Sequence, residues 1–319
     1  MSEPTTQPTP STTTIAAADS SAATGKLLVS PLLFLLIGVL AVSFSAILIK
    51  WSQAPAAVLG LYRLLFTLLL LGPFLLTKSA RAEVRRINFR TWCLVALSGV
   101  FLAFHFIFWI GSLTYTTVAS STILITLQPI FVMIIAYFTL REKTTWQALT
   151  GALIAIVGST FIGWGDFHIS GQALWGDLLS LLGTLVVSGY LVIGQYLRGT
   201  MSSLVYSLWV YVFAVLVMFL YCLWEGYSLV SYPGKEWLLF ILLAVVPTVF
   251  GHTLFNWLLK YVNAATISMA ILGEPIGATI LAYLLLGEGV TVSQWIGGGI
   301  IMSGIWLFLS AKKRPPSVS

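Results

Sequence analysis

Residues 113–158 read LTYTTVASSTILITLQPIFVMIIAYFTLREKTTWQALTGALIAIVG, and residues 259–304 read LKYVNAATISMAILGEPIGATILAYLLLGEGVTVSQWIGGGIIMSG. Shifted by 146 residues, the two stretches align without a gap and agree at fifteen of 46 positions. The shared residues include Tyr115/Tyr261, Pro129/Pro275, Glu142/Glu288, Gly151/Gly297 and Gly158/Gly304. Composition alone would match roughly a tenth of positions in so apolar a chain, so the stretch is an internal duplication.

The duplication is written in apolar residues. The chain is 58% hydrophobic and 8% charged, whereas about a quarter of the residues in a soluble domain are charged. A membrane-spanning helix needs about 20 apolar residues. The 319 residues hold ten such runs, at 31–49, 56–76, 92–111, 118–139, 146–164, 173–194, 203–223, 237–257, 264–286 and 293–310. Five spans per half is an odd number, so the second half enters the membrane from the opposite side. The expected fold is an all-α membrane protein with ten transmembrane helices in two inverted five-helix repeats. Residues 26–164 and 172–310 form the repeats, joined by the loop Gly165–Gly171. Residues 1–25, rich in Ser, Thr, Pro and Ala, read as a disordered cytoplasmic tail, and 311–319 as a second tail.

The basic balance (pI ≈ 9.3) would point to nucleic acid in a soluble chain; here it marks topology. Thirteen of the sixteen Lys and Arg fall on one side: Lys26, the run Lys78–Arg90, Arg141, Lys143, Arg198, Lys260, and Lys312–Arg314. The other side carries Lys50 and Lys235, and Arg63 lies within a span. Positive charge resists translocation, so both termini are expected in the cytoplasm and the chain in the cell (inner) membrane, with no nucleic-acid partner. The first apolar run is about twice as long as a signal-peptide core and reads as a span. The run Arg81–Arg90 reads as a solvated loop. Cys93 and Cys222 sit in spans as small packing residues, and nothing in the sequence calls for a disulfide, a metal or a cofactor.

Polar residues inside spans are where chemistry is expected. Pro129 and Pro275 stand mid-span; each deletes an amide hydrogen bond and frees the carbonyl of Ile125 or Ile271. Both a packing kink and a hinge fit, and the symmetric placement beside Gln128 and Glu274 favours a hinge. Glu274 is the sharpest candidate, because a carboxylate near the bilayer midplane must be paired, protonated or hydrated. His105 with Trp109, and His252 with Asn256, are spaced i, i+4 and share helix faces. No third ligand at metal spacing accompanies the histidines. Arg63 could meet an anionic group or snorkel outward; Tyr190 and Gln195 are weaker candidates of the same kind. The expected substrate contacts are therefore His105, Trp109, Gln128, Tyr190, His252, Asn256, Glu274 and Arg63. Gly151, Gly158, Gly297 and Gly304 are spaced at two helical turns and are expected to pack helices closely, between the halves or against a second protomer.

Several stretches together resemble the drug/metabolite transporter superfamily, specifically its EamA-type bacterial members. They are KWSQAPAAVLGLYR at Lys50–Arg63, LREK at the end of span 4, GHTLFNW at 251–257, the pair Glu274–Pro275 and the pair Gly287–Glu288. The resemblance implies ten helices in two inverted repeats, spans 1, 3, 4, 6, 8 and 9 around a central cavity, and export of small metabolites. It departs from the related four-helix multidrug transporters, which use a Glu in their first helix. Spans 1 and 6 have none within them, and Asp177 lies near an end of span 6. The function this implies is secondary transport of a small metabolite such as an amino acid, by a monomer or homodimer using alternating access. Sugar-phosphate or nucleotide exchange would need several cavity cations, and an intramembrane enzyme would need clustered acids or metal ligands.

Overall fold

In the computed structural model, the described residues are 30–116, 121, 124–163, 171–287 and 289–311. The N-terminal tail, residues 312–319, residues 164–170 of the connecting loop, and Glu288 lie outside them. Among the described residues every regular element is helical and none is a strand. They are α1 Pro31–Trp51, α2 Ala56–Leu71 running into a 3-10 turn at Gly72–Leu76, α3 Lys78–Arg85, α4 Phe89–Ser112, α5 Gln128–Leu140, α6 Trp146–Gly163 and α7 Gly171–Arg198. Then come α8 Ser203–Trp224, α9 Gly234–Leu243, a π-helix at Ala244–Thr253, α10 Leu254–Leu258, α11 Ala264–Ile271, α12 Glu274–Leu286 and α13 Val292–Ala311. Among the described residues, eight continuous helical stretches are long and apolar enough to cross a membrane, and Gln128–Leu140 and Trp146–Phe161 are shorter apolar helices. This is the ten-helix membrane architecture expected from the sequence.

Side-chain caps fix several of the starts. Asn88 Oδ1 accepts from Thr91 N–H at 2.9 Å and begins α4; Asn263 Oδ1 accepts from Thr266 N–H at 3.1 Å and begins α11. Each satisfies a backbone donor that a helix terminus leaves unpaired. The basic segment differs from expectation. Lys78–Arg85 is a helix rather than a loop, because Thr77 caps it and its Ala, Lys, Arg and Glu residues are good helix formers.

The prolines do more than kink. Spans 4 and 9 each stop, turn through Thr126–Leu127 or Leu272–Gly273, and restart at Gln128 or Glu274. Pro129 and Pro275 thus stand in the first turn of α5 and α12, where a missing N–H costs nothing. Hydroxyls on neighbouring helices reach carbonyls on either side of the breaks. Ser180 Oγ donates to Ser121 O (2.7 Å), Thr184 Oγ1 to Leu124 O (3.3 Å) and Ser188 Oγ to Gln128 O (3.4 Å). In the second half, Ser43 Oγ of α1 donates to Glu274 O at 3.3 Å.

A second irregularity was not anticipated. Span 8 is a helix in three pieces, because Pro247 has no N–H to continue the α-pattern and the chain widens into a π-turn around it. Thr248 Oγ1 donates to Leu243 O at 2.8 Å, and Thr67 Oγ1 of α2 to Ala244 O at 3.3 Å.

α6 and α13 pack on each other through their glycines. A Cβ at Gly151 would stand 2.7 Å from Gly304 O, and one at Gly158 would stand 2.7 Å from Gly297 O. Both approaches are to backbone, which cannot rotate away. Gly158→Val should therefore force the helices apart at a cost of roughly 3 kcal/mol. It should lower the thermal unfolding midpoint in detergent by several degrees. An unchanged midpoint would mean the two helices do not meet in this register.

Candidate functional site

The broken spans and the π-helix converge on one buried cavity of ≈ 60 Å³. Its wall takes Val42 and Ser45 from α1, Arg63 from α2, His105, Phe106 and Trp109 from α4, and Gln128 from α5. α7 adds Val187, Tyr190 and Leu191; the π-helix adds Pro247 and His252; and Phe255, Ile271 and Glu274 complete it with Ile125. Span 2 was not among the cavity helices implied by the family resemblance, yet Arg63 makes it one.

Arg63 is 1% exposed, so it turns inward and does not snorkel. Its Nε donates to Thr248 Oγ1 at 3.0 Å and its Nη1 to Ser45 Oγ at 3.5 Å. The guanidinium carbon lies 4.5 Å from the centroid of the Phe106 ring, a cation–π contact. That leaves Nη2 without a hydrogen-bond partner among the described residues, and Trp109 Nε1 and Gln128 Nε2 are in the same state. Three buried N–H donors on one cavity wall, each unpartnered, is an unusual arrangement, since such groups are normally satisfied.

Acceptors face the same space. The Glu274 side chain sits in the first turn of α12 with no hydrogen-bond partner among the described residues and no ion pair to Arg63 within 4.0 Å. His105 Nδ1 is 3.1 Å from Gly183 O; a carbonyl only accepts, so Nδ1 carries the proton and the neutral ring keeps Nε2 as an acceptor. The His105 ring stacks on Trp109 at 5.9 Å and 3°, while His252 meets Phe106 edge-on at 5.6 Å.

Two candidates sit elsewhere. Asn256 lies behind the wall: Tyr190 donates its hydroxyl to Asn256 Oδ1 at 2.8 Å, and Asn256 Nδ2 donates to Ser207 Oγ at 3.0 Å. It fixes Tyr190 rather than facing the cavity. Gln195 lies beyond the cavity and bonds Glu142. Sequence reading missed Ser45, Phe106, Pro247, Thr248 and Phe255. A mid-span Pro247 followed at once by Thr248 was the available signal for the π-helix.

Paired broken helices around a buried polar cavity are how membrane transporters are built. The chain belongs to the EamA-like transporter family, whose domain matches twice, over residues 29–164 and 174–310. It is 26% identical over 274 residues to an uncharacterized transporter of Archaeoglobus fulgidus, covering 83% of this chain and 91% of that one. It is 28% identical over 206 residues to the uncharacterized transporter YetK of Bacillus subtilis, a match covering 63% of this chain and 62% of YetK. That match thus spans less than two thirds of YetK. A crystal structure shares the fold at TM-score 0.75 and 16% identity, over 89% of this chain and 98% of its own. The protein is a membrane transporter, and family and relatives alike speak for transport rather than enzymatic turnover.

Proposed function

We propose that this transporter exports a small zwitterionic metabolite, an amino acid foremost, across the cell membrane by alternating access, with both termini in the cytoplasm. The observation that carries the reading is the cavity's split polarity. Arg63 Nη2, Trp109 Nε1 and Gln128 Nε2 are unpartnered donors suited to a carboxylate. Glu274 offers the counter-charge for an ammonium, and Val187, Leu191, Phe255 and Ile271 form an apolar wall for a side chain.

The cavity's size bears on mechanism. At ≈ 60 Å³ it has room for a few waters, each needing about 10–15 Å³. Small-molecule sites are typically ~300 Å³ or more. The site must widen to admit a metabolite, and the two broken spans are the places where short helices can tilt. Residues 26–164 and 172–310 would then move as inverted halves, with Pro129 and Pro275 marking the hinges. A sugar-phosphate exchanger is disfavoured because Arg63 is the sole Lys or Arg on the described cavity wall.

The test is uptake by purified protein in liposomes, using a panel of labelled amino acids, amines, organic acids and phosphorylated sugars. At least one zwitterion should accumulate by counterflow in liposomes preloaded with it. Exchange of a phosphorylated sugar with no amino acid moved would overturn the reading.

A further inference from the structure

We propose that Glu142, Gln195 and Asn263 form a latch that closes the Glu142 face of the pathway, and that this face opens only when the three part. The idea rests on alternating access as read above. Glu142 follows α5 directly, where Arg141 adopts a left-handed conformation (φ 57) and turns the chain. One of its carboxylate oxygens accepts from Gln195 Nε2 of α7; the other accepts from Asn263 Nδ2 at 3.1 Å. Gln195 Oε1 in turn accepts from the Ala264 N–H, a donor the start of α11 leaves unpaired. Asn263 also caps α11 through Thr266, so latch and cap share one side chain.

The elements tied here are those that bear on the cavity. α5 begins at Gln128 and ends at the latch; α11 begins at the latch and leads through Leu272–Gly273 to Glu274; α7 carries Tyr190. At ~1.5 Å per residue, α5 is a rigid lever about 20 Å long and α11 one of about 12 Å. Each is broken at its cavity end, so a ligand that draws Gln128 or Glu274 inward must move the far end as well. Glu142, Gln195 and Asn263 are all only partly buried, so water can replace their hydrogen bonds when the face opens. A packing contact made of apolar side chains would resist such exchange. The bonds also join the two sequence halves, Glu142 from the first with Gln195 and Asn263 from the second. A closure between moving halves has to do so.

The test reads access without any substrate. In a chain with Cys93→Ser and Cys222→Ala, Val187→Cys places one thiol on the cavity wall. An impermeant maleimide is then added to membrane vesicles of either orientation. Glu142→Ala, Gln195→Ala and Asn263→Ala should each raise labelling from the Glu142 face by roughly tenfold, the scale of one charge-assisted hydrogen bond. Labelling from the opposite face should fall. Gln195→Glu, which sets a second carboxylate against Glu142, should act in the same direction and reports even where an alanine variant does not fold. Unchanged rates, or rates raised equally from both faces, would overturn the latch. Parent protein labelled at one rate from both faces, with or without a transported zwitterion, would instead sink alternating access and the latch with it.

Discussion

Arg63→Met should reduce zwitterion binding by two to three orders of magnitude while leaving the chain folded. The reasoning begins with what the guanidinium already does. Two of its nitrogens are spent on Thr248 and Ser45, and its face lies on Phe106. Nη2 has no partner and is free to meet a ligand. Removing one partner of a buried, hydrogen-bonded charge pair costs about 2–5 kcal/mol in binding. The loss to folding is smaller. Methionine fills much of the same volume over Phe106, and Thr248 keeps its bond to Leu243 O; the buried Ser45 hydroxyl loses its bond from Nη1, a cost of about 1–3 kcal/mol. Arg63→Lys should be intermediate, losing about tenfold, because an ammonium cannot hold Thr248 and Ser45 and still present a third donor in the fork geometry of arginine. Trp109 stands in the cavity, so its fluorescence can report binding in detergent. The control is an amine lacking the carboxylate, whose affinity should not fall in Arg63→Met. Parent affinity for zwitterions in Arg63→Met would mean that the arginine only ties α2 to the π-helix.

The fold was legible because spans need only length and apolarity, and those survive any uncertainty about helix faces. The breaks were legible in part. Pro129 and Pro275 announce that spans 4 and 9 cannot run through, but a proline does not say where the helix restarts. Here each restarts one residue earlier, at Gln128 and Glu274, and the hydroxyls of Ser180, Thr184 and Ser188 support the first of these breaks from α7. Their i, i+4, i+8 spacing puts them on one face, a signal visible in the sequence once a partner helix is known.

Asn256 shows how a sound local rule can fail. Spacing i, i+4 puts His252 and Asn256 on one face of an α-helix, but His252 belongs to a π-turn that ends at Thr253. His252 reaches the cavity wall, whereas Asn256 is held behind it by its bonds to Tyr190 and Ser207. The same π-turn brings Thr248 to Arg63, 185 residues away in sequence. No local pattern could have chosen between an outward and an inward arginine. That choice is made by a tertiary partner.

Glu274→Gln should weaken zwitterion binding by about a hundredfold, the reciprocal of the Arg63 result, within the same 2–5 kcal/mol range. The substitution is nearly isosteric, so the break before α12 should survive. Pro275 stays in the first turn, and Ser43 still donates to the backbone carbonyl of residue 274. What changes is charge. The carboxylate lies in the first turn of α12, at the positive end of the helix dipole. A substrate ammonium would supply a close counter-charge. Glutamine can accept one hydrogen bond from that ammonium but cannot neutralise it. An organic acid without an amine should therefore bind Glu274→Gln at least as well as the parent, while an amine without a carboxylate should lose as much as the zwitterion does. Transport in liposomes with an imposed pH gradient then separates the roles open to this residue. If zwitterions bind Glu274→Gln with parent affinity but no longer accumulate against the gradient, the carboxylate carries a proton and the ammonium is recognised elsewhere. If binding and gradient-driven transport both match the parent, Glu274 is a structural group and the assignment of the ammonium to it is wrong.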